Sequence, residues 1–194
     1  MIPADHVAVI GHSRLGKTAL WTAALDERFW AAVSNNSGFG GAALSRAPAD
    51  PLYGKMGEKV NDFIRAGSWD WYCETFKEYE WREHERPCDQ HFLLAMIAPR
   101  LISVASAEND RGADPQLEYL SCRAASAAYE VLGLSGLVAP NRYPQVGESF
   151  HVDEIGYHLR AGEHFLSRAD WIEHIAFLQQ HLRDSRSRLP WAST

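Results

Sequence analysis

Four short apolar runs mark the chain: Val7-Ala8-Val9-Ile10, Ala31–Ser34, Leu101–Ser106 and Ile155–Leu159. Each is short, the pattern of a buried strand. Helix-like stretches fall at 14–26, 116–133 and 168–182. Strand alternating with helix predicts an α/β fold, a mostly parallel sheet with helices on its faces. The region at about 40–97 breaks the alternation. It is rich in charged and aromatic residues, including Trp69, Trp71, Tyr72, Phe76, Tyr79 and Trp81. It reads as an insertion, either a lid or pocket wall, or a helical cap burying its aromatics in its own core. A cap can do both. No internal repeat, low-complexity linker or second domain is visible, and 194 residues suit a single domain.

Composition narrows the classes. Hydrophobic residues make up 46% of the chain and aromatics 11%, which argues for a packed core and against disorder. A net charge of -6 leaves no electrostatic footprint for nucleic acid. No apolar run reaches the roughly 18 residues that a membrane span needs. The start, Met1-Ile2-Pro3-Ala4-Asp5-His6, shows no signal peptide. Three cysteines, Cys73, Cys88 and Cys122, cannot all pair and do not have zinc-site spacing. A Cys73–Cys88 disulfide is one reading for a secreted protein. Buried free thiols are the preferred one.

Gly11-His12-Ser13-Arg14-Leu15-Gly16-Lys17-Thr18 joins the first strand to the first helix and fits two incompatible chemistries. As G-x-x-x-x-G-K-T it is a phosphate loop, with Lys17 on the phosphates and Thr18 on a metal. As a nucleophile elbow it exposes Ser13 on a strained strand-to-helix turn, where the helix N-terminus favours a developing anion. A phosphate loop also needs a carboxylate at the end of a second strand. The run Leu101–Ser106 reaches Glu108 and Asp110 only after an interruption. A serine hydrolase needs a nucleophile, then an acid after a later strand, then a histidine in the loop after the final strand. Ser13, Asp110 and His164 occur in that order, although nine histidines make an accidental fit easy.

A wider pattern runs along the chain. Gly11-His12-Ser13-Arg14-Leu15-Gly16-Lys17 is followed by Ser37-Gly38-Phe39-Gly40-Gly41-Ala42-Ala43-Leu44-Ser45-Arg46, Asp89-Gln90-His91, Ala98-Pro99-Arg100 and Ala113-Asp114-Pro115. Gly156-Tyr157-His158 and Gly162-Glu163-His164 through Asp170-Trp171 continue it. Over about residues 5–182 this set resembles the family-15 carbohydrate esterases, the glucuronoyl esterases, in their bacterial form. The resemblance implies an α/β-hydrolase fold. It also implies cleavage of the ester between glucuronic acid on xylan and lignin alcohols, through an acyl-enzyme and without a metal or organic cofactor.

The resemblance assigns roles. Ser13 is the expected nucleophile, and His164 the base that takes its proton and later protonates the leaving alcohol. His151 and His158 lie outside the loop where the family places its base. Many members carry a glutamate where this chain has Asn36, which can hydrogen-bond but carries no charge. The acid is therefore expected at Asp110, as in relatives that use an aspartate after the later strand, with Glu108 as the alternative. Arg14 is expected to support the oxyanion, and Lys17 to contact sugar hydroxyls. Glu58 resembles a sugar-contacting glutamate, though Ala47–Met56 lengthens the spacing before it. At Gly112 the family often has a tryptophan lining the sugar site.

The resemblance also implies that the strands and helices preceding the nucleophile strand in this fold are missing. The first strand would then have a bare edge. A longer parent chain, a homodimer through that edge, or a silent half-fold are the alternatives. Two rival functions stay in view: a catalytically silent carbohydrate-binding derivative, and a phosphate-loop nucleotide hydrolase. A secreted or periplasmic location follows from the resemblance alone.

Overall fold

The structure, a computed structural model, describes residues 6–46 and 57–187. Five strands form one sheet: β1 Ala8–His12, β2 Ala31–Asn35, β3 Leu101–Ala107, β4 Ser149–Phe150 and β5 Ile155–Arg160. Their spatial order is β1-β2-β3-β5-β4. β1, β2, β3 and β5 run parallel, and β4 pairs antiparallel to β5 at one edge. The helices are α1 Arg14–Leu25, α2 Val60–Arg65, α3 Gln90–Ala95, α4 Pro115–Val131 and α5 Arg168–Ser187. The four expected strands and three expected helices are present, with boundaries shifted by a few residues.

The two-residue period of the strands sorts side chains onto two faces. On one face Ala32, Ile102, Val104, Ile155, Tyr157 and Leu159 meet Leu20 of α1, Leu94 of α3 and Tyr119, Cys122 and Tyr129 of α4. On the other, Ala31 and Leu101 meet Phe177 of α5. Ser103, His158 and Arg160 point to this second face, where they bond His174 and Asp170 of α5. Within β5, Tyr157 and Leu159 thus join the main core while their neighbours form a polar layer beneath α5. β1 forms the opposite edge of the described sheet, with Val7 and Ile10 exposed.

The aromatic region divides in two. Phe39, Val60 and Phe63 pack with Tyr72, Phe76 and Tyr79 into a small separate core. Short 3-10 turns at Trp69–Trp71, Glu74–Tyr79 and Glu83–Glu85 carry most of that stretch. α3 instead sends Leu93 and Leu94 into the main core. Cys73 and Cys88 are exposed and unpaired, so burial holds for Cys122 alone. No described helix is long and apolar enough to cross a membrane.

Candidate active site

The chain passes from β1 to α1 through a single residue, Ser13, at φ 57° and ψ -127°. This is a strained conformation for a residue with a Cβ, costing on the order of 1–3 kcal/mol. Neighbouring glycines permit it. A Cβ on Gly11 would lie 1.9 Å from Leu15 O, and one on Gly16 would lie 2.9 Å from Ser37 Cβ. The Gly16 and Lys17 amides both donate to Ser13 O, at 2.9 and 3.3 Å. Those amides are spent inside the turn, and the Lys17 ammonium is bound to Ser37 O and Phe39 O. Thr18 Oγ1 donates back to Arg14 O. The segment is therefore an elbow and does not form a phosphate cradle, which corrects the alternative reading of the motif.

Three segments converge above the C-terminal edge of the sheet. His164 Nε2 lies 2.8 Å from Ser13 Oγ, and His164 Nδ1 lies 2.6 Å from Asp110 Oδ2. With the hydroxyl donating to Nε2 and Nδ1–H donating to the carboxylate, the three groups form one hydrogen-bonded chain. Asp110 follows β3 in a tight turn, its amide donating to Ala107 O at 3.0 Å. Asn36 Nδ2 donates to the same Oδ2 at 2.7 Å, and the Ala113 amide donates to Oδ1 at 3.2 Å. Burial pushes the Asp110 carboxyl up, but the His164 and Asn36 hydrogen bonds outweigh it and hold the group below the usual range. The Asp110 bond in turn raises the His164 imidazole above its ordinary value, against a smaller effect of burial. Glu108 is exposed and stands away from this chain, its amide donating to Arg160 O.

Ser13, His164 and Asp110 open onto a cavity of about 180 Å³ that Lys17, Glu58, Trp71 and Gly112 also line. Burial lowers the Lys17 ammonium, partly offset by Glu58. Loss of water at the cavity wall raises the Glu58 carboxyl. Arg14 lies to one side, its guanidinium 5.5 Å from the Trp71 ring, in an adjoining groove that also touches Lys17. Ala47–Met56, the stretch that lengthens the approach to Glu58, lies outside the described residues. His151 and His158 belong to the layer beneath α5 and do not reach Ser13. Among the described residues no group of three His, Cys, Asp or Glu side chains could hold a metal ion.

Two neighbours of the site were not legible in the sequence. Glu118 of α4 is fully buried under the Asn36–Gly38 turn. It accepts from the Ser37 and Gly38 amides at 2.9 Å each and from Ser106 Oγ at 2.6 Å. Burial raises its carboxyl to about 7 despite those bonds. His12 bonds Asn35 Oδ1 at 2.7 Å and places its ring 4.6 Å from that of His164.

Comparison with known proteins decides the family. The model of the fungal glucuronyl esterases matches residues 1–133. The chain belongs to the glucuronyl esterase family. The carbohydrate esterase MZ0003, from an unknown prokaryotic organism, is 43% identical over 180 residues, covering 92% of this chain and 39% of that protein. A promiscuous CE15 esterase from a marine bacterial metagenome superposes with TM-score 0.84 at 42% identity, covering 93% of this chain and 43% of that one. A glucuronoyl esterase from Solibacter usitatus gives TM-score 0.80 at 37% identity, covering 92% and 43%. The sheet and its flanking helices are thus those of the α/β-hydrolase fold found in these esterases. The chain spans about two-fifths of the length of these relatives.

Proposed function

We propose that this member of the glucuronyl esterase family is a serine carboxylester hydrolase that cleaves glucuronate esters linking xylan to lignin alcohols. The observation that carries the reading is the unbroken chain Ser13 Oγ, His164, Asp110 at 2.8 and 2.6 Å. A serine hydroxyl attacks an ester only if a base takes its proton. In this reading Ser13 Oγ bonds to the ester carbonyl carbon and its proton passes to His164 Nε2. Asp110 orients the imidazole and stabilises its charged form. The tetrahedral oxyanion collapses, the C–O bond to the alcohol breaks, and His164 returns its proton to the leaving oxygen. Water, deprotonated by His164, then attacks the acyl carbon, the bond to Ser13 Oγ breaks, and His164 returns the proton to that oxygen as glucuronate leaves.

The α1 N-terminus favours the developing anion, and its first amide, that of Arg14, has no acceptor one turn back in the helix. Arg14 follows Ser13 directly, and its guanidinium, turned from the Trp71 groove toward that anion, would act on the order of one oxyanion donor, about 3 kcal/mol. Lys17 and Glu58 meet the sugar on the cavity wall. The proposed chemistry uses protein groups alone. The relatives named glucuronoyl esterase and 4-O-methyl-glucuronoyl methylesterase support this substrate class. A polymeric cell-wall substrate also favours a secreted or periplasmic location.

The test is hydrolysis of benzyl glucuronate by purified protein beside Ser13→Ala, with gel filtration of the same sample. Turnover abolished by Ser13→Ala is the expected result. A well-folded sample that binds glucuronoxylan oligosaccharides without turnover would instead establish a silent binding derivative.

A further inference from the structure

The loop that presents His164, residues 161–165, is largely exposed. Such a segment opens easily unless something fixes its backbone. Arg160, the last residue of β5, is placed to do so. Its Nη1 donates to Ala161 O at 2.9 Å, and its Nη2 donates to Glu163 O at 3.0 Å and to Phe165 O. The same guanidinium lies 4.3 Å from the centroid of the Phe165 ring. On its far side Nε donates to Asp170 Oδ2 at 2.7 Å.

Asp170, in the first turn of α5, is fully buried. Its Oδ1 meets His158 Nε2 at 3.1 Å, and its Oδ2 also accepts from the Ser167 amide and hydroxyl at 2.7 Å each. Burial opposes its charge, but the bonds from His158, Ser167 and Arg160 keep the carboxyl well below the usual range. A buried ion pair contributes little net stability over a well-packed apolar pair, so its presence calls for another account. The base loop is also stitched to the turn carrying the acid. The Glu108 amide donates to Arg160 O and the Asn109 amide to Gly162 O, both at 3.0 Å.

We propose that Arg160 and Asp170 are positioning residues: a buried ion pair anchored on α5 grips the carbonyls of the base loop and holds His164 between Ser13 and Asp110. Arginine suits the task because its planar fork offers five donors in fixed directions. Lysine keeps the charge beside Asp170 but cannot span three carbonyls from one rigid plane. The inference rests on the serine-hydrolase reading, yet it concerns the geometry of His164, which can be observed without turnover.

The test is Arg160→Lys, followed by thermal unfolding, by kinetics on benzyl glucuronate and by NMR titration of the His164 imidazole. A misplaced base costs rate without loss of substrate binding. In a folded variant kcat is expected to fall roughly 10- to 100-fold, with KM essentially unchanged. The His164 titration is expected to move down toward the ordinary histidine value as its bond to Asp110 loosens. Should Arg160→Lys fail to fold, Phe165→Ala decides, because that exposed ring can be removed without emptying the core. A smaller fall in kcat and a shift of His164 in the same direction are then expected. An unchanged kcat and an unchanged His164 titration in the folded variant would overturn the proposal. If the unmodified protein shows no turnover, the esterase reading fails, and the His164 titration alone decides the brace.

Discussion

Asn36 and His164 converge on one oxygen of Asp110, at 2.7 and 2.6 Å. In the proposed mechanism the amide is a neutral support for the carboxylate that orients the base. Hydrogen bonds to a charged group contribute about 1.5–3 kcal/mol. Asn36→Ala is expected to let the Asp110 carboxyl rise and to lower kcat/KM by roughly tenfold, the lower end of that range. Steady-state kinetics on a soluble glucuronate ester would check it, and an unchanged kcat/KM would show that Asp110 needs no such support.

In the proposed mechanism the acidic limb of the rate profile should report His164. The base must be neutral to accept the Ser13 proton, and the Asp110 bond raises its titration. Activity is therefore lost, as pH falls, above the pH expected of an unperturbed imidazole. Asp110→Asn should move that limb to lower pH and reduce kcat by on the order of 10³-fold or more. A pH–rate series on both proteins tests this, and a limb that stays in place would remove Asp110 from the role of partner.

Gly112 leaves room in the wall of the cavity, where the proposed function places the sugar. A Cβ there would lie 3.8 Å from Asp110 Oδ1 and 4.0 Å from Glu58 Cγ, ordinary contact distances. Gly112→Trp is expected to fold and to supply an aromatic wall. A gain of about 1 kcal/mol, the scale of an aromatic contact, corresponds to a roughly fivefold lower KM for glucuronate esters. Equal KM values in the two proteins would place the sugar elsewhere.

The layer beneath α5 should make the fold sensitive to acid. Burial lowers His174 to about 3 and His151 to about 4. His158, Asp170, Glu173 and His181 surround them. A depressed histidine contributes its full stability above the unfolded value of about 6.5. Below that pH the unfolded chain binds the extra proton, so stability falls until the folded group titrates. Glu118 and His164, both raised, work in the opposite direction, so a difference between proteins is the clean measure. On going from pH 7 to 5, His174→Asn should lose about 2 kcal/mol less stability than the unmodified protein. Urea unfolding at the two pH values would check this, and equal losses would acquit His174.

The parallel strands and the long helices were legible because they carry a period. Ile102 and Val104 face one way and Leu101 and Ser103 the other, and that alternation is visible in the letters. α2 and α3 span six residues each and β4 two, too short for any period to show. The order Ser13, Asp110, His164 was legible from the motif set, with Asp110 expected ahead of Glu108, and the turn after β3 brings the Asp110 carboxylate to His164. Glu118 was hidden because a glutamate in an amphipathic helix ordinarily reads as a solvated residue. Only the fold shows that the Ser37 and Gly38 amides need an acceptor at that point. The pairing of Arg160 with Asp170 leaves no mark on spacing, because the contact crosses a loop.

The strand order has a mechanical consequence. Ser13 stands at the end of β1, whereas the loop bearing His164 leaves β5, three places away in the sheet. At roughly 4.8 Å per strand, the imidazole must be carried back across about 14 Å of sheet edge to meet the hydroxyl. That overhang makes the site a gauge of sheet twist. A bulkier side chain at Ala32 in β2, fully buried between the two ends of the span, would shear the gap from below. Such a variant would lose rate through geometry while its surface, charge and reactive groups stayed as they are.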